Sequence, residues 1–389
     1  MQNKKVIISG AGIAGLTLAY WLDQYGFSPV VIEKRPDLSD EGYMIDFLGP
    51  GFDVAEKMGL MGPLRLRAYQ QNQMVLVDQH GRKMATLDFK RIRKYLDNRY
   101  INLTRGDLET VLYENICKQV PVLFQTQIQQ IVEQPDHVQV MLSNGDVQEA
   151  GMLIGADGIH SHIRSLYWGE DGQFEHFLGY YIACAVFENF LQRKDTFYSY
   201  LAPKTQAAVY SIHDNQLATL FAVKSELRDT KSHLAQQEIL KEAFGRQGWL
   251  VPQLLESTLQ SDHLYFDSVS QVEVDPWYKG RVALVGDACQ CLTLLAGQGA
   301  SMAMYGAYVL ASALRDAQGD YKQAFPTYQE KMRPLIEKEQ AKARKLTNSF
   351  IPNNRFEVWL TALAIRAALL PGFRSLFLKQ FGEKKQIVT

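Results

Sequence analysis

The chain has 389 residues, a formal net charge of −1 and 47% hydrophobic residues. That is enough to build two cores, or one large α/β domain carrying an inserted lobe. A charge so close to zero leaves no basic excess to neutralise phosphates, which excludes nucleic acid as the main partner. Four cysteines (Cys117, Cys184, Cys289 and Cys291) do not make a disulfide framework. Cys289 and Cys291 have no second Cys/His pair nearby to complete a zinc site, so reduced, mostly buried thiols, no metal and a cytoplasmic setting are expected.

The first stretch goes straight into a strand, leaving no room for a signal peptide. Lys5-Val6-Ile7-Ile8-Ser9 is a β-branched apolar run that feeds into Gly10-Ala11-Gly12-Ile13-Ala14-Gly15, a G-x-G-x-x-G turn. Leu16 to Tyr25 reads as a helix stopped by Gly26, and Phe27 to Ile32 as a second strand ending at Glu33. A strand–turn–helix–strand unit with an acid at its tip is the context that makes the glycine pattern specific for an adenine dinucleotide. Gly10 permits the tight turn, Gly12 lets backbone N–H groups approach a pyrophosphate, and Gly15 lets the helix sit close to the strand. The helix N-terminus faces the phosphates, and Glu33 would accept from a ribose diol.

Lys34 to Gly51 reads as a loop, with a helix resuming near Phe52. Met74 to Leu87 reads as a hairpin, and Arg91 to Tyr100 as a charged, exposed stretch. Arg105-Gly106-Asp107-Leu108 opens a helix to about Lys118, with Asp107 near the capping position. Strand-like runs follow to Asn144-Gly145, which closes a hairpin. Met152 to Gly155 is a buried strand ending at Ala156-Asp157-Gly158, where open α/β sheets place ligand groups.

Between Phe174 and Val274 four short alternating strands (Tyr180 to Glu188, Thr196 to Leu201, Ala207 to Ile212, Leu217 to Val223) follow one another without crossover helices. They imply an antiparallel second lobe. Tyr198, Tyr200, Tyr210 and Phe221 are its candidate substrate-facing rings, with core packing as the alternative. The parallel pattern returns in Arg281 to Val285, a buried strand ending at Gly286-Asp287. Gly297-Gln298-Gly299-Ala300 then opens a long helix whose N-terminus offers free N–H groups. A charged helix to Ala343 and two apolar pieces, Val358 to Leu370 and Phe373 to Phe381, complete the chain. The first piece is too short to span a bilayer; it packs on the body or touches a membrane interface.

An N-terminal G-x-G-x-x-G with a distal Glu, a mid-chain Gly-Ala-Asp-Gly and a C-terminal Gly-Asp-Ala followed by Gly-Gln-Gly form a specific set. In order and spacing it resembles the FAD-dependent monooxygenases of the p-hydroxybenzoate hydroxylase type, over about residues 4 to 345. Tyr20-Trp21-Leu22, Gly26-Phe27-Ser28-Pro29-Val30 and the helical tail resemble the branch containing the tetracycline-inactivating monooxygenases. The resemblance implies an α/β fold. A Rossmann-like FAD-binding domain (1–73, 99–173 and 275–345) is interrupted by an antiparallel-sheet substrate domain (74–98 and 174–274) and followed by C-terminal helices (346–389).

It also implies roles: Gly10, Gly12, Ile13, Ala14 and Gly15 at the pyrophosphate, Glu33 and Lys34 at the adenosine ribose, and Arg105 near the flavin. Asp157 belongs to the motif tied to FAD and NAD(P)H, and Asp287 would reach the ribityl chain. Gly297, Gln298, Gly299 and Ala300 would face the flavin carbonyls, and Asp46 the flavin edge. The implied activity transfers one oxygen atom from O2 through a flavin C4a-hydroperoxide. NADPH or NADH would be the reductant, and a planar aromatic or polyketide-like molecule the substrate, in a monomer or homodimer. The family's prolines after Gly-Asp-Ala are absent, Cys289, Gln290, Cys291, Leu292, Thr293 and Leu294 standing there, which bears on oxygen activation. A prenyl-reductase-like enzyme of the same fold and a non-catalytic flavin binder are the alternatives.

Overall fold

The computed structural model describes residues 4–38, 43–69, 71–192, 194–213, 215–262, 264–293, 297–368 and 370. The strand Lys5–Ser9 lies in the middle of a six-stranded sheet, because Val6, Ile7 and Ile8 can be fully buried on both faces. Across the sheet the order is Tyr278–Lys279, Val282–Leu284, Met152–Gly155, Lys5–Ser9, Ser28–Ile32 and Val122–Leu123. Every pairing is parallel except that of the short 278–279 strand. Parallel strands share one C-terminal edge, so Gly10, Glu33, Ala156-Asp157 and Gly286-Asp287 emerge side by side. The helices Ile13–Gln24 and Gly299–Asp316 pack against each other beside this edge through Trp21 and Tyr308, whose rings lie 4.9 Å apart.

The second sheet has seven strands in the order Tyr265–Val272, Glu175–Glu188, Gln216–Lys224, Thr205–Ser211, Thr196–Ala202, Gln73–Val77 and Lys83–Asp88. It is mixed rather than purely antiparallel. The hairpin from residues 73–88 arrives from elsewhere in the chain and pairs parallel to Thr196–Ala202. One face is covered by the helices His233–Phe244 and Val251–Leu259, which bury Ile239, Leu240, Phe244, Val251 and Leu254 against it. The opposite face meets the first domain around Phe197 and Tyr210 and the C-terminal helix around Leu76 and Ala85.

Two expectations about local structure change. Within the stretch read as a loop, Met44–Leu48 is a strand, paired antiparallel with Tyr100–Thr104. The charged stretch before it is the helix Phe89–Tyr95, capped by Asp88 and anchored by the fully buried Ile92. Local composition hid both, since each segment buries only one side. At the C-terminus the helix Arg355–Ala368 lies on the body, with Ala362 clustered on Leu76 and Ala85 and Arg366 Nε donating to the Met84 carbonyl at 2.5 Å. The piece read from Phe373 to Phe381, with Pro371-Gly372, lies outside the described residues, as does Leu294. Among the described residues no helix is long and apolar enough to cross a membrane.

Candidate active site

The sheet edge gathers the glycine turn and the three acids. Gly10 has φ +107°, and a Cβ there would come within 2.6 Å of the Ala156 carbonyl oxygen. A Cβ on Gly15 would overlap the Gly10 carbonyl oxygen, so this helix can approach the strand only as glycine. Gly286, at φ +68°, is equally tight, its added Cβ falling 2.8 Å from Ala14 Cβ. The third corner is thus pressed onto the first turn of the first helix. Glu33, buried at the end of its strand, turns back so that its Oε2 accepts from Ala11 N–H at 2.8 Å. Its Oε1 accepts from Arg35 N and Nε at 2.9 and 3.2 Å, while Lys34 is exposed.

Gly12 differs from its neighbours. The nearest atoms to a Cβ there are Glu109 Oε1 at 3.5 Å and an Arg105 guanidinium nitrogen at 3.8 Å, so it opens toward a charged wall. Arg105 begins the helix Arg105–Ile116, which is held by a capping box between Thr104 and Asp107. One turn on, the fully buried Glu109 pairs with Arg105 at 3.1 Å and reaches Arg35 at 3.9 Å. Arg105 also bears on Asp287: burial raises the Asp287 carboxyl above the usual range, while the guanidinium and the Cys291 thiol pull it back. The helices Ile13–Gln24 and Gly299–Asp316 start at Gly12 and Gln298 with no side-chain cap among the described residues, whereas Thr104, Ser161 and Asp320 cap helices elsewhere. Gly297 (φ +63°) and Gly299 have open space where a Cβ would sit. Two uncapped helix N-termini, an open glycine and a guanidinium fit a dinucleotide pyrophosphate and an electron-rich ring.

Asp157 is placed differently from the other corners. Its Oδ1 accepts from the Ser161 hydroxyl at 2.5 Å and its Oδ2 from Ile163 N–H at 3.0 Å, tying the strand end to the helix His162–Tyr167. Burial raises its carboxyl, against those bonds. The fully buried Arg164, three residues past Ser161, then links this corner to the next. It donates to the Ile159 carbonyl at 2.7 Å and the Ala288 carbonyl at 2.9 Å.

Asp46, half-buried, alternates with Ile45 and Phe47 of the first core and so shares the face of Met44 and Leu48, opposite Asn102 in register. Tyr100 hydroxyl and Asn102 Nδ2 both donate to its Oδ1 at 2.7 Å. Burial raises its carboxyl, and these two donors partly offset the rise. Tyr210, from the second sheet, crosses the gap to accept from Met44 N–H at 2.9 Å and stacks on Phe197, centroids 5.2 Å apart. Tyr69 joins the same group, its hydroxyl buried without a partner among the described residues and pushed well up by burial and by Tyr210 and Asp46.

The candidate substrate rings therefore divide between the two faces of the sheet. Tyr198, Tyr200 and Phe221 belong to the helix-covered face: Tyr198 and Tyr200 lie 6.3 and 6.4 Å from Trp249, and Phe221 packs edge-on to Phe244 at 4.8 Å. Strand alternation put them there. Only Tyr210 of the four looks toward the first domain. Sequence reading also passed over Glu109, Arg35, Tyr69, Tyr100 and Asn102. A buried acid one helical turn after Arg105 was the single available signal, since i and i+4 share a face.

A family model described as FAD binding domain matches residues 3–341. The uncharacterized protein Rv1260 of Mycobacterium tuberculosis (strain ATCC 25618 / H37Rv) is 35% identical over 341 residues, covering 87% of this chain and 92% of that protein. A flavin-dependent monooxygenase from an unknown prokaryotic organism is 32% identical over 361 residues, 90% of this chain and 91% of its own. The crystal structure of tetracycline destructase Tet(51) superposes with a TM-score of 0.84 at 28% identity, over 99% of this chain and 98% of that one. The strand-edge cradle and these likenesses agree: the chain belongs to the FAD binding domain family and is a flavin-dependent monooxygenase of the p-hydroxybenzoate hydroxylase type.

Proposed function

We propose that the chain uses NADPH or NADH and O2 to place one oxygen atom on a planar aromatic or polyketide-like molecule, tetracycline-like compounds included. The substrate is held between the sheet edge and the Phe197–Tyr210 face of the second sheet. The observation that carries this reading is the meeting of the glycine turn, Glu33, Arg105 and Asp287 on one edge, opposite a partly polar aromatic wall. The name of the 28%-identical destructase supports the substrate class.

In this reading Gly10, Gly12, Ile13, Ala14 and Gly15 present the first helix N-terminus to the pyrophosphate, and Arg105, steadied by Glu109, adds its charge. Glu33, with Lys34 outside it, closes on the adenosine ribose. Asp287 accepts from the ribityl chain, and Gly297 to Ala300 offer N–H groups to the ring carbonyls. Asp157 acts one step back, fixing the strand end through Ser161 and Arg164. Bound FAD supplies the electron transfer from NAD(P)H and the reaction with O2. Asp46 holds a proton near the substrate at its Oδ2, since both of its donors occupy Oδ1. The sheet face and Tyr210 exclude water.

The test is direct. Purified protein should be yellow, should oxidise NADPH or NADH faster with a substrate from a tetracycline and phenolic-acid panel, and should yield product carrying one atom from 18O2. Product without label, formed anaerobically, would overturn the monooxygenase assignment in favour of reductase chemistry.

A further inference from the structure

The loop leaving Asp287 has no proline, yet its backbone is held by two buried side chains from different parts of the fold. Gln271, on the Tyr265–Val272 strand of the second sheet, is fully buried. Its Nε2 donates to the Leu292 carbonyl at 2.8 Å and to the Gln340 carbonyl at 3.0 Å. Gln340, 4% exposed inside the helix Tyr321–Phe350, donates from Nε2 to the Cys291 carbonyl at 3.0 Å and the Val272 carbonyl at 2.9 Å. Arg344, one helical turn on, donates to Gln271 Oε1 at 2.8 Å, so the amide must turn its NH2 end to the loop. Beyond the two pinned carbonyls Thr293 sits at φ +124°, a value an L-residue keeps only where its surroundings over-determine it. The short helix Asp287–Gln290 runs straight into this pinned stretch, and the buried Cys291 thiol donates to the Ser270 carbonyl of the second sheet at 3.7 Å.

A peptide unit is planar, so fixing a carbonyl also fixes the N–H across the bond and the next Cα. Proline restricts φ alone. Two consecutive pinned carbonyls set both torsions between them, and each bond made in a buried site is costly to leave unmade. Gln271 ties the loop to the second sheet, and Gln340 ties it to the long helix behind.

We propose that Gln271 and Gln340 are positioning residues for the flavin. They set the Cys291–Thr293 backbone and, through the short helix Asp287–Gln290 that leads into it, the direction of the Asp287 carboxylate, doing here what a proline would do by ring closure. This rests on the FAD reading above. The test uses the wild-type holoprotein with Q340L, Q271L, R344A and R344K. Its readouts are hydrogen exchange of a peptide spanning 289–293, the visible spectrum and fluorescence of the bound flavin, and the FAD dissociation constant.

Q340L and Q271L should exchange at least tenfold faster in that peptide, shift the flavin band and bind FAD about tenfold more weakly. R344A, a change at a half-exposed position that leaves the core intact, should move the same readouts about threefold, and R344K should restore them. Exchange and spectra equal to wild type in R344A, or R344K behaving as R344A, would overturn the proposal even if the glutamine variants fail to fold. A wild-type chain that takes up no FAD would sink both readings. A yellow wild type with indistinguishable variants would sink this one alone.

Discussion

The two faces of the seven-stranded sheet are made from alternate residues of the same strands, yet one is packed under two helices of its own lobe while the other meets the C-terminal helix Arg355–Ala368 and the first domain. On the helix-covered face Phe221 meets Phe244, Val209 and Ala183 are essentially inaccessible, and the polar pair Thr219 and Thr258 satisfy each other at 2.9 Å. On the other face Tyr210 reaches across to Met44, the half-buried Asp46 has a raised carboxyl, and the Tyr69 hydroxyl and Asn102 Oδ1 are buried without a partner among the described residues. Buried polar atoms without partners call for an explanation, and at Tyr69 and Asn102, beside Asp46 and Tyr210, the proposed substrate supplies one.

The largest effect that sharpens this contrast is on the helix-covered face. Phe221→Ala should cost about 3–5 kcal/mol in urea unfolding, through a cavity under the two helices. The flavin spectrum of the folded fraction should stay unchanged. A variant of near wild-type stability with altered substrate-dependent NAD(P)H oxidation would break the comparison.

Asp46→Asn should do the opposite. Because burial lifts the Asp46 carboxyl, its acid form persists to higher pH than an ordinary aspartate, and above that range the buried charge weighs against folding. The asparagine variant should match or slightly exceed wild-type stability at pH 7. It should lose substrate-dependent oxidation by roughly 100-fold, together with the fall in rate on the alkaline side of the pH–rate profile. An unchanged profile would remove Asp46 from the proton-handling role. Tyr210→Phe lies between the two. It leaves Met44 N–H without its acceptor and should cost about 1 kcal/mol, with a higher KM for the substrate identified in the panel and an unaltered FAD dissociation constant.

The cofactor edge was readable in the sequence because each corner is local. A strand, a glycine and an acid adjacent in the chain suffice to bring Gly10, Glu33 and Gly286-Asp287 to one sheet edge once the strands are parallel. The substrate side was not readable in the same way. Whether Tyr198 or Tyr210 faces the first domain depends on which face receives the helices His233–Phe244 and Val251–Leu259, a decision made far away in sequence. Asp46, Tyr69, Tyr100 and Asn102 become one group only through the pairing of Met44–Leu48 with Tyr100–Thr104, and a two-stranded ribbon leaves little trace in a polar stretch. The loop from Cys289 to Thr293 shows the same limit. Its missing prolines are visible locally, while the glutamines that hold it come from residues 271 and 340.

The smallest effect expected is at the seam between the two domains. His160, just past the Asp157-Gly158 corner, lies with Nε2 3.1 Å from Asp267 Oδ1 and Nδ1 3.4 Å from Glu175 Oε2, both acids belonging to the second sheet. The bonds to Asp267 and then Glu175 raise its pKa to about 10, against some desolvation. A histidine whose folded pKa lies above its unfolded value of about 6.5 stabilises fully below that unfolded value. The contribution then fades as pH rises toward the folded value. On the acid side it needs Glu175 ionised, and that carboxyl is held low by His160 against the burial that would raise it. The imidazole is more than half exposed, so solvent screening keeps the gain modest. The difference in Tm between wild type and His160→Gln should be widest near pH 6, shrink through pH 8 and vanish near pH 10. A constant difference across that range would mean that packing, and not the charged seam, joins this corner to the second sheet.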